Sequence, residues 1–135
     1  RYENKLAEII TKHYDYVIVE NLQMLPTAFS LTRDSKIIFD AREYYPRQNE
    51  ESLMFRLFEK NERIRLCSKY LNRCNAVITV SPGLAEEYSN QFNIDPCVIR
   101  SVPYYEHLSP IPINSSSIKM VHHGVALKNR KIENI

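Results

Sequence analysis

The sequence predicts an α/β domain organised around a parallel sheet, and three observations carry that expectation. Four short runs rich in β-branched residues recur along the chain, helical apolar spacing separates them, and the runs are nearly continuous in apolar character instead of alternating. Strands that alternate with helices build βαβ units, and strands apolar on both sides need cover on both faces. Central parallel strands with helices on both faces are therefore expected.

Taken in order, Leu6, Ile9 and Ile10 form a short stripe ahead of the first run, Tyr16-Val17-Ile18-Val19. Pro26 suits the first turn of a helix that reaches about Leu31 and buries Ala28 and Leu31. The second run is Lys36-Ile37-Ile38-Phe39. The longest helix is expected from about Glu51 to Cys74, because Leu53, Leu57, Ile64, Cys67, Leu71 and Cys74 recur at helical spacings. Its outer face carries Arg56, Lys60, Arg63, Lys69 and Arg73. A basic amphipathic helix can touch a membrane surface, although Glu59 and Glu62 dilute the charge and a solvated face is the plainer alternative.

The third run, Ala76-Val77-Ile78-Thr79-Val80, leads into Ser81-Pro82, a favoured N-cap followed by proline at the first helical position. Leu84, Ala85 and Tyr88 then supply the buried side of that helix, and Cys97-Val98-Ile99 is the fourth run. From Ser101 to Ser117 the period disappears and Pro103, Pro110, Pro112 and three consecutive serines mark a linker. A weaker fifth run, Ile118-Lys119-Met120-Val121-His122, precedes a turn and a helix start. The expected organisation is a domain over 1–105, a linker over 106–117 and the truncated first β-α unit of a second domain over 118–135.

With 44% hydrophobic and 25% charged residues among 135, the chain has the balance of a soluble globular domain able to bury a core. A formal charge of +2 gives no bulk attraction to nucleic acid. Cys67, Cys74 and Cys97 are odd in number and lack a C-x-x-C pair, which fits buried, reduced thiols and a cytoplasmic setting. No apolar stretch approaches the roughly 20 residues of a spanning helix. The chain opens on Arg1 and closes on a helix just beginning, so both ends look cut and an internal piece of a larger protein is expected.

Ligands of parallel α/β sheets bind beyond the carboxyl ends of the strands. Those ends read Glu20-Asn21, Asp40-Ala41-Arg42-Glu43, Ser81-Pro82-Gly83, Arg100-Ser101 and His122-His123-Gly124. Asp40 to Pro46 gathers three charges and two tyrosines, a set that can grip a polyhydroxylated ligand or simply anchor its own loop. Gly124 before Lys128, Arg130 and Lys131 makes a turn into a cationic helix start suited to a diphosphate, with a solvated basic turn as the alternative. His122 and His123, as strand neighbours, would point to opposite faces, so no metal site is expected.

In order and spacing, the segments 14–21, 36–46, 76–83 and 118–124 with Asn129-Arg130 resemble family 4 glycosyltransferases of the GT-B fold. The resemblance covers the chain from about Tyr14 onward. It implies a Rossmann-like, acceptor-side half followed by the start of a donor-side half, and retaining transfer of a sugar from a nucleotide diphosphate sugar to a glycan or lipid-linked acceptor, with no metal cofactor. By the same resemblance Asp40, Arg42 and Glu43 would stand at the reacting sugar. Glu20, Asn21, Tyr44, Ser81, Pro82 and Gly83 would line the substrate cleft, and Gly124, Arg130 and Lys131 would meet the donor diphosphate. It also implies a cytoplasmic enzyme, with peripheral contact at the inner membrane face as an option. The pattern after the second strand commonly reads Asp-x-His-Glu, and here Arg42 replaces the histidine; a permanently charged guanidinium cannot act as a near-neutral imidazole does. Two other classes stay open: a catalytically silent Rossmann-like binding or regulatory module, and a sugar-nucleotide epimerase of the same architecture.

Overall fold

A computed structural model describes residues 2–10, 12–32, 34–114, 116–117 and 119–124. The chain divides into two units, Arg1–Val102 and Pro103–Ile135. The first holds four strands, β1 (Tyr16–Val19), β2 (Lys36–Ala41), β3 (Ala76–Thr79) and β4 (Cys97–Val98), in one all-parallel sheet of order β1-β2-β3-β4. The helices are α1 (Tyr2–Ile9), α2 (Leu25–Leu31), α3 (Lys60–Tyr70) and α4 (Pro82–Phe92). Each of the first four apolar runs expected as strands forms one, and β2 extends two residues beyond expectation to reach Ala41.

Register decides which side chains meet. Val17 lies beside Ile37, Val19 beside Phe39, Phe39 beside Val77 and Ala41 beside Thr79, forming one layer on one face. That layer packs with Leu22 and Leu25, with Leu66, Cys67 and Tyr70 of α3, and with Tyr88 and Phe92 of α4 in a single apolar core. The opposite parity gives Ile18 beside Ile38 and Asp40 beside Ile78. Ile18 is 63% exposed, and Ile38, Asp40 and Ile78 are half-buried.

Cover on both faces was the expectation, and the described helices α2, α3 and α4 instead share the core on one face. The topology explains the difference. When every strand is added on the same side of its predecessor, crossovers of one hand all fall on one face.

Local signals account for the helix ends. Asn21 Oδ1 accepts from Gln23 N–H at 2.9 Å to start a short 3-10 turn, Leu22–Met24, and Pro26 sits in the first turn of α2. Ser81, extended at φ −152, caps α4 through its hydroxyl at 3.4 Å from Leu84 N. Asn93, at φ 52, closes α4 in the left-handed conformation that asparagine tolerates, its N–H bonded to the Ser89 carbonyl.

The long helix differs from expectation at its start. Helical backbone from Leu53 passes through a π-helical turn at Phe55–Glu59, then α3, then a 3-10 turn at Leu71–Arg73. Ile64, Cys67, Leu71 and Cys74 are buried or half-buried as the spacing predicts, while Leu53 and Leu57 are 60% and 61% exposed. The wide turn has more residues per revolution than an α-helix, so residues before it fall out of phase with those after it. Phe55 takes the inward place. In α1, Ile9 is also exposed, whereas Leu6 and Ile10 are half-buried.

Cys67 is buried, Cys74 half-buried and Cys97 exposed, all three as free thiols; Cys97 therefore departs from the buried expectation. Burial pushes the Cys67 thiol up to about 12 and the Cys74 thiol up to about 11.

In the second unit the described residues form neither helix nor strand. Asn114 Oδ1 accepts from Ser116 N–H at 3.0 Å and from its hydroxyl at 2.6 Å, an Asx-type turn. The fifth strand is corrected: residues 119–122 are exposed and unpaired in any sheet, and short apolar runs become strands only where a neighbour takes up their backbone groups. Gly124 turns at φ 128, which side-chain-bearing residues rarely adopt. Ile118, Lys128, Arg130 and Lys131 lie outside the described residues.

Candidate functional site

The expected cluster assembles from strand register. Extending the pairing of Val19 with Phe39 by one residue sets Glu20 next to Asp40, and Arg42, two residues on, returns to the side of Asp40. Arg42 Nε donates to Asp40 Oδ2 at 2.9 Å and Nη2 to Glu20 Oε1 at 2.5 Å. One guanidinium thus joins the carboxyl ends of two neighbouring strands. Hydrogen bonding to Asp40, then the charges of Asp40 and Glu20, raise the Arg42 pKa further above its ordinary value. The Asp40 side chain is largely sheltered while those of Arg42 and Glu20 are open to solvent.

These residues border a groove of about 410 Å³ on the uncovered face, where Ile18, Ile78, Val80 and Ile99 form an apolar floor and Asp40, Arg42, Arg100 and Ser101 supply polar groups. Arg100 makes no ion pair among the described residues. The strand-end rule singled out Arg100-Ser101. The floor residues Ile18, Ile78 and Val80 were hidden because a continuous apolar run does not say which of its residues stay uncovered.

Past Arg42 the chain turns toward the helical side. Tyr45 is buried, its hydroxyl donates to the Glu20 carbonyl at 2.9 Å, and its ring lies 5.8 Å from that of Phe39. Its N–H donates to the Tyr88 hydroxyl at 3.2 Å, which in turn donates to the Glu43 carbonyl at 2.8 Å. Desolvation raises the pKa of both phenols, so each stays a neutral donor. Two tyrosines from different elements thereby fix the loop that carries Arg42 and Glu43.

Other expected site residues take different places. The Glu43 carboxylate accepts from Gln48 Nε2, whose Oε1 accepts from Arg63 Nη1 at 2.8 Å. Tyr44 sets its ring edge-on against Tyr88 at 5.0 Å and hydrogen-bonds Gln91 through its hydroxyl, so it packs on α4. Asn21 and Ser81 are engaged as helix caps, and Thr79 donates to the Ser81 carbonyl at 3.0 Å. Pro82 and Gly83 open α4, with free space beside Gly83. Glu20 and Asn21 also edge a second, apolar cleft of about 370 Å³ between α1, β1 and α2.

The helical spacing puts Arg63 on the outer face. It is instead nearly enclosed, its side chain 12% exposed between the rings of Phe55 at 5.4 Å and Tyr45 at 5.9 Å, with Glu59 at 2.9 Å from Nη2. Among the described residues no group of three or more His, Cys, Asp or Glu side chains could hold a metal ion, and no helix is long and apolar enough to cross a membrane.

Compared with protein families, with characterised proteins and with solved structures, the chain matches none.

Proposed function

We propose that this chain is the acceptor-side Rossmann-like portion, with the opening of the donor-side portion, of a GT-B glycosyltransferase that uses a nucleotide diphosphate sugar. The observation that carries the reading is the Asp40–Arg42–Glu20 cluster beside a groove at the carboxyl ends of parallel strands, where ligands of such sheets bind. Carboxylates there accept from sugar hydroxyls, and a guanidinium fixed by two of them is a rigid donor. In this reading residues 106–117 link the two portions. Gly124, Arg130 and Lys131 meet the donor diphosphate, where positive charge stabilises the departing nucleotide.

One observation favours the silent-module alternative. Arg42 is engaged by both carboxylates of the cluster, so the position of the family histidine is filled by a group that takes up the neighbouring charges itself.

Calorimetric titration of the full protein with nucleotide diphosphate sugars, followed by a labelled-sugar transfer assay on glycan and lipid-linked acceptors, separates the readings. Saturable donor binding with transfer is expected, and Asp40→Asn is expected to lower transfer by roughly a hundredfold at little change in donor affinity. Released nucleotide without a transferred product would indicate epimerase or hydrolytic chemistry, and absence of saturable binding would sink the transferase reading.

A further inference from the structure

The groove at the carboxyl ends of the strands has two unlike walls. On one, Arg42 is shared between Asp40 and Glu20, so a single guanidinium answers two carboxylates and the wall keeps acceptor capacity to spare. On the other stand Arg100 and Ser101, and the Arg100 guanidinium makes no ion pair among the described residues.

Register sets the distance between them. Asp40 lies beside Ile78 and Ile78 beside Cys97, so β2 and β4 are two strand spacings apart, roughly 10 Å. Past that row, Ile99 N–H donates to the Thr79 carbonyl at 2.8 Å, which keeps the chain against β3 beyond the end of β4 and holds Ile99 in the floor with Ile78 and Val80. Arg100 follows directly, so its backbone is anchored while its side chain stays open to solvent.

The floor between the walls, Ile18, Ile78, Val80 and Ile99, offers side chains without a hydrogen-bonding group. A ligand lying across it presents a C–H face downward and polar groups at its two ends, hydroxyls toward Asp40 and Glu20 and the other end toward a cation and a hydroxyl. A neutral sugar satisfies only the first wall, because at Arg100 its hydroxyls merely replace water. An anion in front of the planar guanidinium gains a charge-assisted bond that can be bidentate, and the Ser101 hydroxyl adds a further donor.

We infer that this groove selects a sugar bearing an acidic group, a carboxylate or a phosphate, with Arg100 and Ser101 receiving the acid while Asp40 and Glu20 accept from the hydroxyls. The inference rests on the sugar-binding reading of the groove and adds to it the charge of the acceptor.

Calorimetric titration of the full protein, without nucleotide sugar, with glucose, glucuronate and glucose 6-phosphate tests it. At least one acidic sugar is expected to bind roughly tenfold or more tightly than glucose, with an advantage that shrinks as salt rises, and the tighter of the two names the acid. Arg100→Gln should bring the acidic sugars down to the affinity of glucose. Arg100→Lys, which keeps the charge and loses the fork, should keep part of the advantage. Arg100 is exposed, so thermal melts of both variants should match the parent. Acidic sugars that bind no better than glucose or not at all, or an advantage that survives Arg100→Gln, would overturn the inference. Failure of the transferase reading shows separately, as absent donor binding in the nucleotide-sugar titration, so the two failures are told apart.

Discussion

The two faces of the sheet are built from the same strands and meet different fates. On one, Phe39 is fully buried among residues from three helices; on the other, its neighbour Ile38 is half-buried and Ile18, beside it, is mostly exposed. Both faces are apolar by composition, so hydrophobicity alone does not choose the covered one. Strand order chooses it, because one-directional growth of the sheet brings successive helices to the same side. The polar cluster and its groove sit on the face that growth leaves open.

The sharpest way to break this contrast is to truncate each face in turn. Phe39→Ala should destabilise the protein by about 3–5 kcal/mol, because the core cannot collapse around so large a deletion, whereas Ile38→Ala should cost less than about 1.5 kcal/mol. Equilibrium urea unfolding measures both, and equal losses would show that the second face is covered after all. Next in size, Tyr88→Phe removes the hydroxyl that joins Glu43 and Tyr45, and should cost about 1–3 kcal/mol by stranding a buried N–H. Hydrogen exchange should speed up at Tyr45 in that variant.

The smallest effects concern the thiols. The Cys67 pKa is raised from 9.0 to about 12 by burial, so the unfolded chain releases this proton at lower pH than the folded one. Stability from this group is therefore complete below pH 9.0 and declines as pH climbs toward about 12, and Cys74 acts in the same sense over a window ending at about 11. Chemical denaturation at several alkaline pH values should show the decline, reduced in Cys67→Ala after allowing for its cavity. At neutral pH, mass spectrometry after brief alkylation should find Cys97 modified well before the other two.

Much of the covered face was legible in the sequence, because its rules are local. Ser81-Pro82 marks the start of α4, Pro26 that of α2, and the β-branched runs locate every strand. What escaped reading depended on phase or on distant partners. Leu53 and Leu57 fit the helical period on paper, and the wide turn Phe55–Glu59, which follows Leu53 and contains Leu57, puts both out of phase with Ile64. Arg63 reads as one more surface cation until Tyr45 and Phe55 close around it. Within the site, Asp40 and Arg42 could be picked out as a charged loop, but their link to Glu20, 22 residues before Arg42, follows only from the parallel register of β1 and β2. The tyrosines divide for the same reason: Tyr44 and Tyr45 are adjacent in sequence, yet the Tyr44 ring packs on Tyr88 while the Tyr45 side chain goes to Phe39 and the Glu20 carbonyl.

The sheet order β1-β2-β3-β4 also bears on how the molecule assembles. Among the four described strands, none must wait for one made much later to be slotted between itself and its neighbour. Each new strand meets an edge formed by the strand just before it, so structure can accrete from β1 onward as these residues emerge from the ribosome. Synthesis halted after Thr79 would leave three consecutive strands able to pair, lacking α4 and the Tyr88 brace.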